Sequence, residues 1–175
     1  MKTIGLIGGT SWYSTIDYYK IINEQVNTSL GNNASAKIFL YSVDYGEIVN
    51  VTQKGDWNSI ELIISNVAKK LENAGAECML LCANTMHTIA DEIQSAINIP
   101  LIHVVDVVLK ALEQKNIEAV LLLGTKYTIK GSFYAERLQK KGIHLLIPDL
   151  EEIEQINNTI PITFLGKIYT FSIIN

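Results

Sequence analysis

The stretch Cys82-Ala83-Asn84-Thr85-Met86-His87 gathers an unusual density of side chains that can do chemistry. Asn84 and Thr85 stand where an apolar run ends and a helical one begins. There, side-chain groups and free backbone N–H groups can hold a carboxylate. His87 reads two ways, as a base or metal ligand, or as a histidine packed on a helix face. No Cys, His or acid accompanies it at ligand spacing, which favours packing. Cys78 and Cys82 share one face of a strand by two-residue alternation, and buried, inert thiols are the reading for both. Two thiols cannot form a disulfide framework, and their setting suits a reducing compartment. His103 and His144 lie within apolar runs and carry less signal.

Three other places invite a functional reading. Gly5-Leu6-Ile7-Gly8-Gly9-Thr10 suggests a dinucleotide turn, with Asp44 as the ribose acid. The glycine spacing differs from G-x-G-x-x-G, Asp44 lies too far along, and Trp12 and Tyr13 would crowd a pyrophosphate. Lys126, directly after Gly124-Thr125, is a cation at a ligand edge or an ordinary surface lysine. The polar segment from Tyr45 to Asn58, with Glu47 and Asp56-Trp57, reads as a mobile loop over a sheet edge or as a solvated connection.

The elements that must position these residues follow from alternation of short apolar runs and amphipathic stretches. Strands are expected at Thr3–Ile7, Ala36–Val43, Glu77–Cys82, Pro100–Val105, Glu118–Leu123 and Ile143–Ile147. Helices are expected from Ser14 to Leu30, from an Asp56 or Asn58 cap to Ala74 with Gly75 as the stop, and over Thr85–Ile97. Further helices are expected up to Lys115, around Gly131–Lys141, and from Asp149. In the first helix Ile16, Tyr19, Ile22, Val26 and Leu30 recur at helical spacing. Near-continuous apolar strands alternating with helices imply a parallel sheet covered on both faces. Such sheets bind ligands at the strands' C-terminal ends, which draws attention to Gly8–Ser11, Ser42–Asp44, Ala83–Thr85 and Gly124–Thr128. A faint repeat accompanies this: Gly9-Thr10 with Thr15-Ile16 after the first strand, Gly124-Thr125 with Thr128-Ile129 after the fifth. It fits two related lobes facing across a cleft, and equally two turns that converged.

Composition limits the possible classes. The chain has 175 residues, 48% apolar and 18% charged, which excludes general disorder and suits one domain or two small lobes. The net charge of −4 argues against nucleic acid as a partner. The N-terminus is too short and glycine-rich for a signal peptide, and no apolar run reaches the roughly 18–20 residues of a membrane span. A soluble, cytoplasmic protein is expected.

Taken together, Ile4-Gly-Leu-Ile-Gly-Gly-Thr10-Ser11-Trp12 with Ser14-Thr15-Ile16 and Tyr18-Tyr19, Tyr41-Ser-Val-Asp44, Gly55-Asp-Trp57, Cys82-Ala-Asn-Thr-Met-His87 and Leu123-Gly-Thr-Lys-Tyr-Thr128 resemble the aspartate/glutamate racemase family. The match runs from residue 3 to about Pro148 and weakens after Ile156. The resemblance implies an α/β fold of two similar parallel-sheet lobes with helices on both faces, here 1–100 and an incomplete 101–175. It implies cofactor-independent racemisation of aspartate or glutamate, with no metal, by two thiols on opposite faces of the α-carbon. Thiols suit that role because helix N-termini and nearby donors can lower their pKa. The family's first thiol falls on Ala83, and its second, from a later Gly-Cys-Thr-Glu segment, has no counterpart among these residues. The implied substrate contacts are Thr10, Ser11, Asn84, Thr85, Thr125, Lys126 and Thr128. A non-catalytic binder of small amino acids or dicarboxylates is the alternative. A C-terminally truncated second lobe would expose a sheet edge and an apolar face, so a homo-oligomer is expected.

Overall fold

The structure, a computed structural model, describes residues 1–166, with side chains through Ile160. It is α/β, and the described residues fall into two compact units that meet in sequence at Val107 and Val108.

In the first unit β1 (Ile4–Gly8) lies between β2 (Ile38–Ser42) and β3 (Cys78–Leu81), all parallel. Ile7 is level with Tyr41 on one side and Leu81 on the other. Helices lie on both faces. α1 (Trp12–Leu30) follows β1, while α2 (Tyr45–Gln53) and α3 (Trp57–Asn73) follow β2. α3 begins where Asp56 accepts the Ser59 N–H (3.1 Å) and its hydroxyl (2.6 Å), which holds the Asp56 carboxyl below its ordinary value. Gly75, at φ +102°, lets the chain turn just past its end. Ile60, Ile64, Val67, Ala68 and Leu71 of α3 pack with Ile7, Met79 and Leu81 of the sheet to form the core.

α1 approaches the other face at one point. A Cβ on Gly8 would sit 2.4 Å from Thr15 Cγ2, so this pairing of strand and helix requires glycine. Gly9, at φ +82°, is equally fixed, because a Cβ there would lie 2.2 Å from Val43 O. The close approach decides how α1 is rotated. Thr15 is its buried residue, and Ile16, Tyr19 and Leu30 of the helically spaced apolar set are exposed.

Three further expectations are corrected. The segment from Tyr45 to Asn58 is not a loop: Asp44 Oδ1 accepts the Gly46 N–H (2.9 Å) and caps α2, which buries Ile48. The expected strand Pro100–Val105 reduces to a single parallel bridge between Leu101 and Met79. His103 Nδ1 accepts the Val105 N–H (3.2 Å), and α5 (Val104–Gln114) starts there instead. Between these lie a 3-10 segment, Asn84–Ile89, and the short α4 (Ala90–Ser95), where one continuous helix was expected.

The second unit pairs β4 (Ala119–Leu121) with β5 (His144–Leu146) in parallel. α6 (Lys126–Lys130) and α7 (Ser132–Gln139) connect them, and α8 (Leu150–Gly166) follows. Ile129, Phe133, Tyr134, Leu138, Ile143 and Ile153 are its buried side chains, whereas Leu121, Leu123, Leu146, Ile147 and Leu150 are exposed.

Gly8→Ala is expected to lower stability by about 2–3 kcal/mol through overpacking against Thr15. Gly46→Ala, inside a helix with only ordinary contact to Asp44, is expected to cause no loss. Urea unfolding of the two variants measures the contrast.

Candidate functional site

β1 and β3 are neighbours and parallel, so their C-terminal ends emerge together. The Cys82 N–H donates to Ile7 O at 2.9 Å, which ties the two ends at the same level. One end continues into Gly9, Thr10 and Ser11, the other into Ala83, Asn84 and Thr85.

At the first end, the Gly9 N–H donates to Thr15 Oγ1 (3.1 Å), and the Thr15 and Ser14 hydroxyls donate to Ser11 O at 3.2 and 3.0 Å. Ser11 is the N-cap residue of α1, but its side chain makes no capping bond, and the first turn holds no acid. The positive end of a 19-residue helix therefore lacks a cap from its own N-cap side chain and an acid in its first turn. Thr10 stands beside it, 8% exposed, and its Oγ1 finds no hydrogen-bond partner among the described residues. A buried hydroxyl left in this condition costs about 1–3 kcal/mol, which a bound acceptor would recover.

At the second end, alternation sends Cys82 and Ala83 to opposite sides. Ala83 is extended (φ −139°, ψ 133°) and half-buried; Asn84 is exposed, and the 3-10 segment starts there. Cys82 is 1% exposed. Burial pushes its thiol up to about 12, and the Cys78 thiol is raised by burial as well. Burial also raises Tyr18, with a smaller contribution from Cys82 nearby. A thiol held protonated in this way is neither base nor nucleophile near neutral pH.

His87 is buried and packs edge-on against His103, the ring centroids 4.5 Å apart at 61°. The packed reading of His87 is the one the fold adopts. His103, set aside in the sequence, holds the start of α5 through its ring nitrogen. A polar residue immediately ahead of Val104-Val105-Asp106-Val107-Val108-Leu109 was the available signal. Asp44 likewise works as a helix cap and not as a ribose acid.

The remaining candidates belong to the second unit, at the C-terminal end of β4. Thr125 Oγ1 accepts the Thr128 N–H (3.3 Å) and lies 3.2 Å from the Thr128 hydroxyl, so both shape the start of α6. The Lys126 N–H donates to Asn157 Oδ1 (3.1 Å), and its ammonium lies 5.8 Å from the Tyr127 ring centre. Gly124 repeats the device of Gly8. A Cβ there would lie 3.3 Å from Thr128, the residue that the sequence repeat aligns with Thr15. At the opposite strand ends, an open hollow of about 600 Å³ is lined by Glu113, Asn116, Glu118, Lys141 and His144, with Lys141 and Glu113 paired at 3.2 Å. Sequence reading did not anticipate this hollow. Among the described residues no group of three or more His, Cys, Asp or Glu is placed to hold a metal ion, and no helix is long and apolar enough to cross a membrane.

The sequence pattern of the Asp/Glu/Hydantoin racemase family matches residues 7–167. The chain belongs to this family. A Yersinia pestis structure classed with the Asp/Glu racemases is 46% identical, with TM-score 0.88, over 97% of this chain and 74% of that one. An aspartate racemase homologue from Pyrococcus horikoshii is 36% identical, with TM-score 0.80, over 91% of this chain and 70% of that one. The broad specificity amino-acid racemase RacX of Bacillus subtilis is 32% identical over 94 residues, 54% of this chain and 41% of that protein. The chain thus spans well under two thirds of that curated relative's length. Its solved neighbours share the two-lobe racemase fold, including a Francisella tularensis glutamate racemase with TM-score 0.59.

Cys82 is expected to resist thiol reagents in the native protein at pH 8 and to react at once when the chain is unfolded. The unfolded thiol ionises near 9.0 while the native one keeps its proton to about 12, so stability falls as pH rises through that window. Cys82→Ala should show a smaller alkaline loss when denaturation midpoints are followed from pH 8 to pH 11.

Proposed function

We propose that the chain serves the amino-acid chemistry of its family on small acidic amino acids such as aspartate or glutamate, using no cofactor. The first unit holds the ligand's carboxylate at the joint ends of β1 and β3. The observation that carries this reading is the partnerless, buried Thr10 hydroxyl beside the uncapped start of α1. A carboxylate there accepts from Thr10 and faces the positive helix end. Ser11, Asn84 and Thr85 stand at the same end of the sheet and supply the further polar contacts.

Racemisation needs a proton acceptor on one face of the α-carbon and a donor on the other. On the first-unit side the family's thiol position is Ala83, which can neither take nor give a proton. Cys82 does not substitute, because it lies on the far side of the strand and keeps its proton. His87 is packed beneath the 3-10 segment against His103. Each missing acid or base forgoes roughly 10²–10⁴-fold in rate. The chain is therefore read as a ligand-holding member of the family with negligible two-thiol racemisation of its own.

Thermal unfolding with and without aspartate and glutamate tests the binding. Saturating ligand is expected to raise Tm by several degrees, and Thr10→Val to abolish the rise; absence of any rise in the unaltered chain would refute the site. Solvent deuterium exchange at the α-carbon tests the chemistry. The unaltered chain is expected to stay at background, and Ala83→Cys to gain measurable exchange. Rapid exchange by the unaltered chain that survives Cys82→Ser would show that another base works here.

A further inference from the structure

The helix start beside Thr10 carries two aromatic rings for which a carboxylate site alone has no use. Trp12 and Tyr13 are the first two residues of α1, and they stack on each other with ring centroids 3.8 Å apart at 25°. Consecutive helical residues diverge by about 100° around the axis and ordinarily do not meet. Inside a helix the preceding turn restricts how a side chain swings, and at the first two positions no turn precedes. A helix start is where such a pair can form. Tyr13 is half-buried and lies against one face of the indole, while Trp12 remains 50% exposed.

The pair stands at the proposed carboxylate site. Helical Cα–Cβ bonds tilt toward the N-terminus, so both side chains lean back toward Thr10 and Ser11. Two residues of chain span at most about 7 Å, which keeps the Trp12 Cα within that distance of the Thr10 Cα. In an α-amino acid the ammonium sits on the carbon next to the carboxylate, so a ligand held at Thr10 brings a cation to the positive end of α1. The first turn of the helix holds no acid to offset that repulsion. Asp17, the first acid along α1, stands more than a turn beyond Trp12. Asp44, at the end of β2, directs Oδ1 to the Gly46 N–H. The open indole face is the group left to attract a cation, which it does within about 6 Å of the ring centre.

We infer that Trp12 is a specificity-determining residue: its open face receives the α-ammonium of the ligand, so the site selects amino acids over plain dicarboxylates. The inference rests on the carboxylate role proposed for Thr10. Aspartate and succinate share both carboxylates and differ by this one ammonium, and succinate offers the ring no cation. Its negative charges meet the negative face of the indole instead. Tyr13 backs the indole from the other side, which holds the ring in place before the ligand arrives and lowers the ordering cost of binding.

Calorimetric titration of the full chain with L-aspartate and with succinate tests the inference. Aspartate is expected to bind roughly 3- to 30-fold more tightly. Trp12→Leu is expected to remove that preference by weakening aspartate alone, with unchanged far-UV circular dichroism. Trp12→Phe, which keeps a ring face, should retain part of it, and Tyr19→Leu, exposed farther along α1, should change neither affinity. The chain has two tryptophans, so in a Trp57→Phe background Trp12 is the sole indole. Its fluorescence should then respond to aspartate and not to succinate, a readout that does not depend on the Trp12 variants folding. Equal affinity for the two ligands would overturn the inference, and so would a preference that Trp12→Leu leaves whole or that Asp44→Asn removes. In those cases the Thr10 site still stands if Thr10→Val abolishes binding of both ligands. If neither ligand binds the unaltered chain, the Thr10 site and the role of Trp12 fall together.

Discussion

The approach of α1 to the end of β1, made possible by a missing Cβ at Gly8, is the contact on which the first unit's arrangement depends. Thr15 descends into that space, and its hydroxyl then bonds both the Gly9 N–H and Ser11 O. The start of the helix is thereby locked over the strand end. Three consequences follow from that single approach. The first helical turn is held at the sheet's C-terminal edge, Thr10 is left buried with its hydroxyl unspent, and the rotation of α1 leaves Ile16, Tyr19 and Leu30 outside. The second unit repeats the device with Gly124 and Thr128, in looser contact.

Local electrostatics then divide the polar residues into those already used and those still available. Asp44, Asp56, Thr125 and His103 each accept a backbone N–H at a helix start, so their polar atoms are spent on architecture. Cys78 and Cys82 are removed from chemistry by burial, which holds both thiols protonated. What stays available at the end of β1 is the Thr10 hydroxyl beside a helix terminus. That inventory suits holding an anion better than moving a proton. The proposed function takes its class of ligand from the family relationship and treats Ala83 as the position of the family's first thiol.

Strand alternation could be read without coordinates. The β1, β2 and β3 runs, the α3 cap at Asp56 and its stop at Gly75, and the opposite facing of Cys82 and Ala83 follow from apolar period and cap chemistry. These are local properties, and local sequence carries them. The polar segment after Asp44 has the composition of a loop or solvated connection, but the Asp44 cap starts a helix there. The apolar run after Pro100 has a strand's composition, but the His103 ring bond to the Val105 N–H starts a helix there.

By itself the sequence determined the family, the parallel α/β plan, and the residues that gather at the strand ends, because glycine turns, apolar runs and caps act over a few neighbours. Only the tertiary structure decided which polar groups those neighbours would consume. Thr10 and Thr125 occupy matching places in the repeat, yet Thr10 is buried with its hydroxyl unused while Thr125 caps a helix. The orientation of α1 was likewise beyond sequence reading. Its apolar residues fit more than one inward face, and the choice fell to Thr15, which packs where a Cβ on Gly8 would lie 2.4 Å from its Cγ2. A contact between residues on different elements, which no local pattern encodes, set both outcomes.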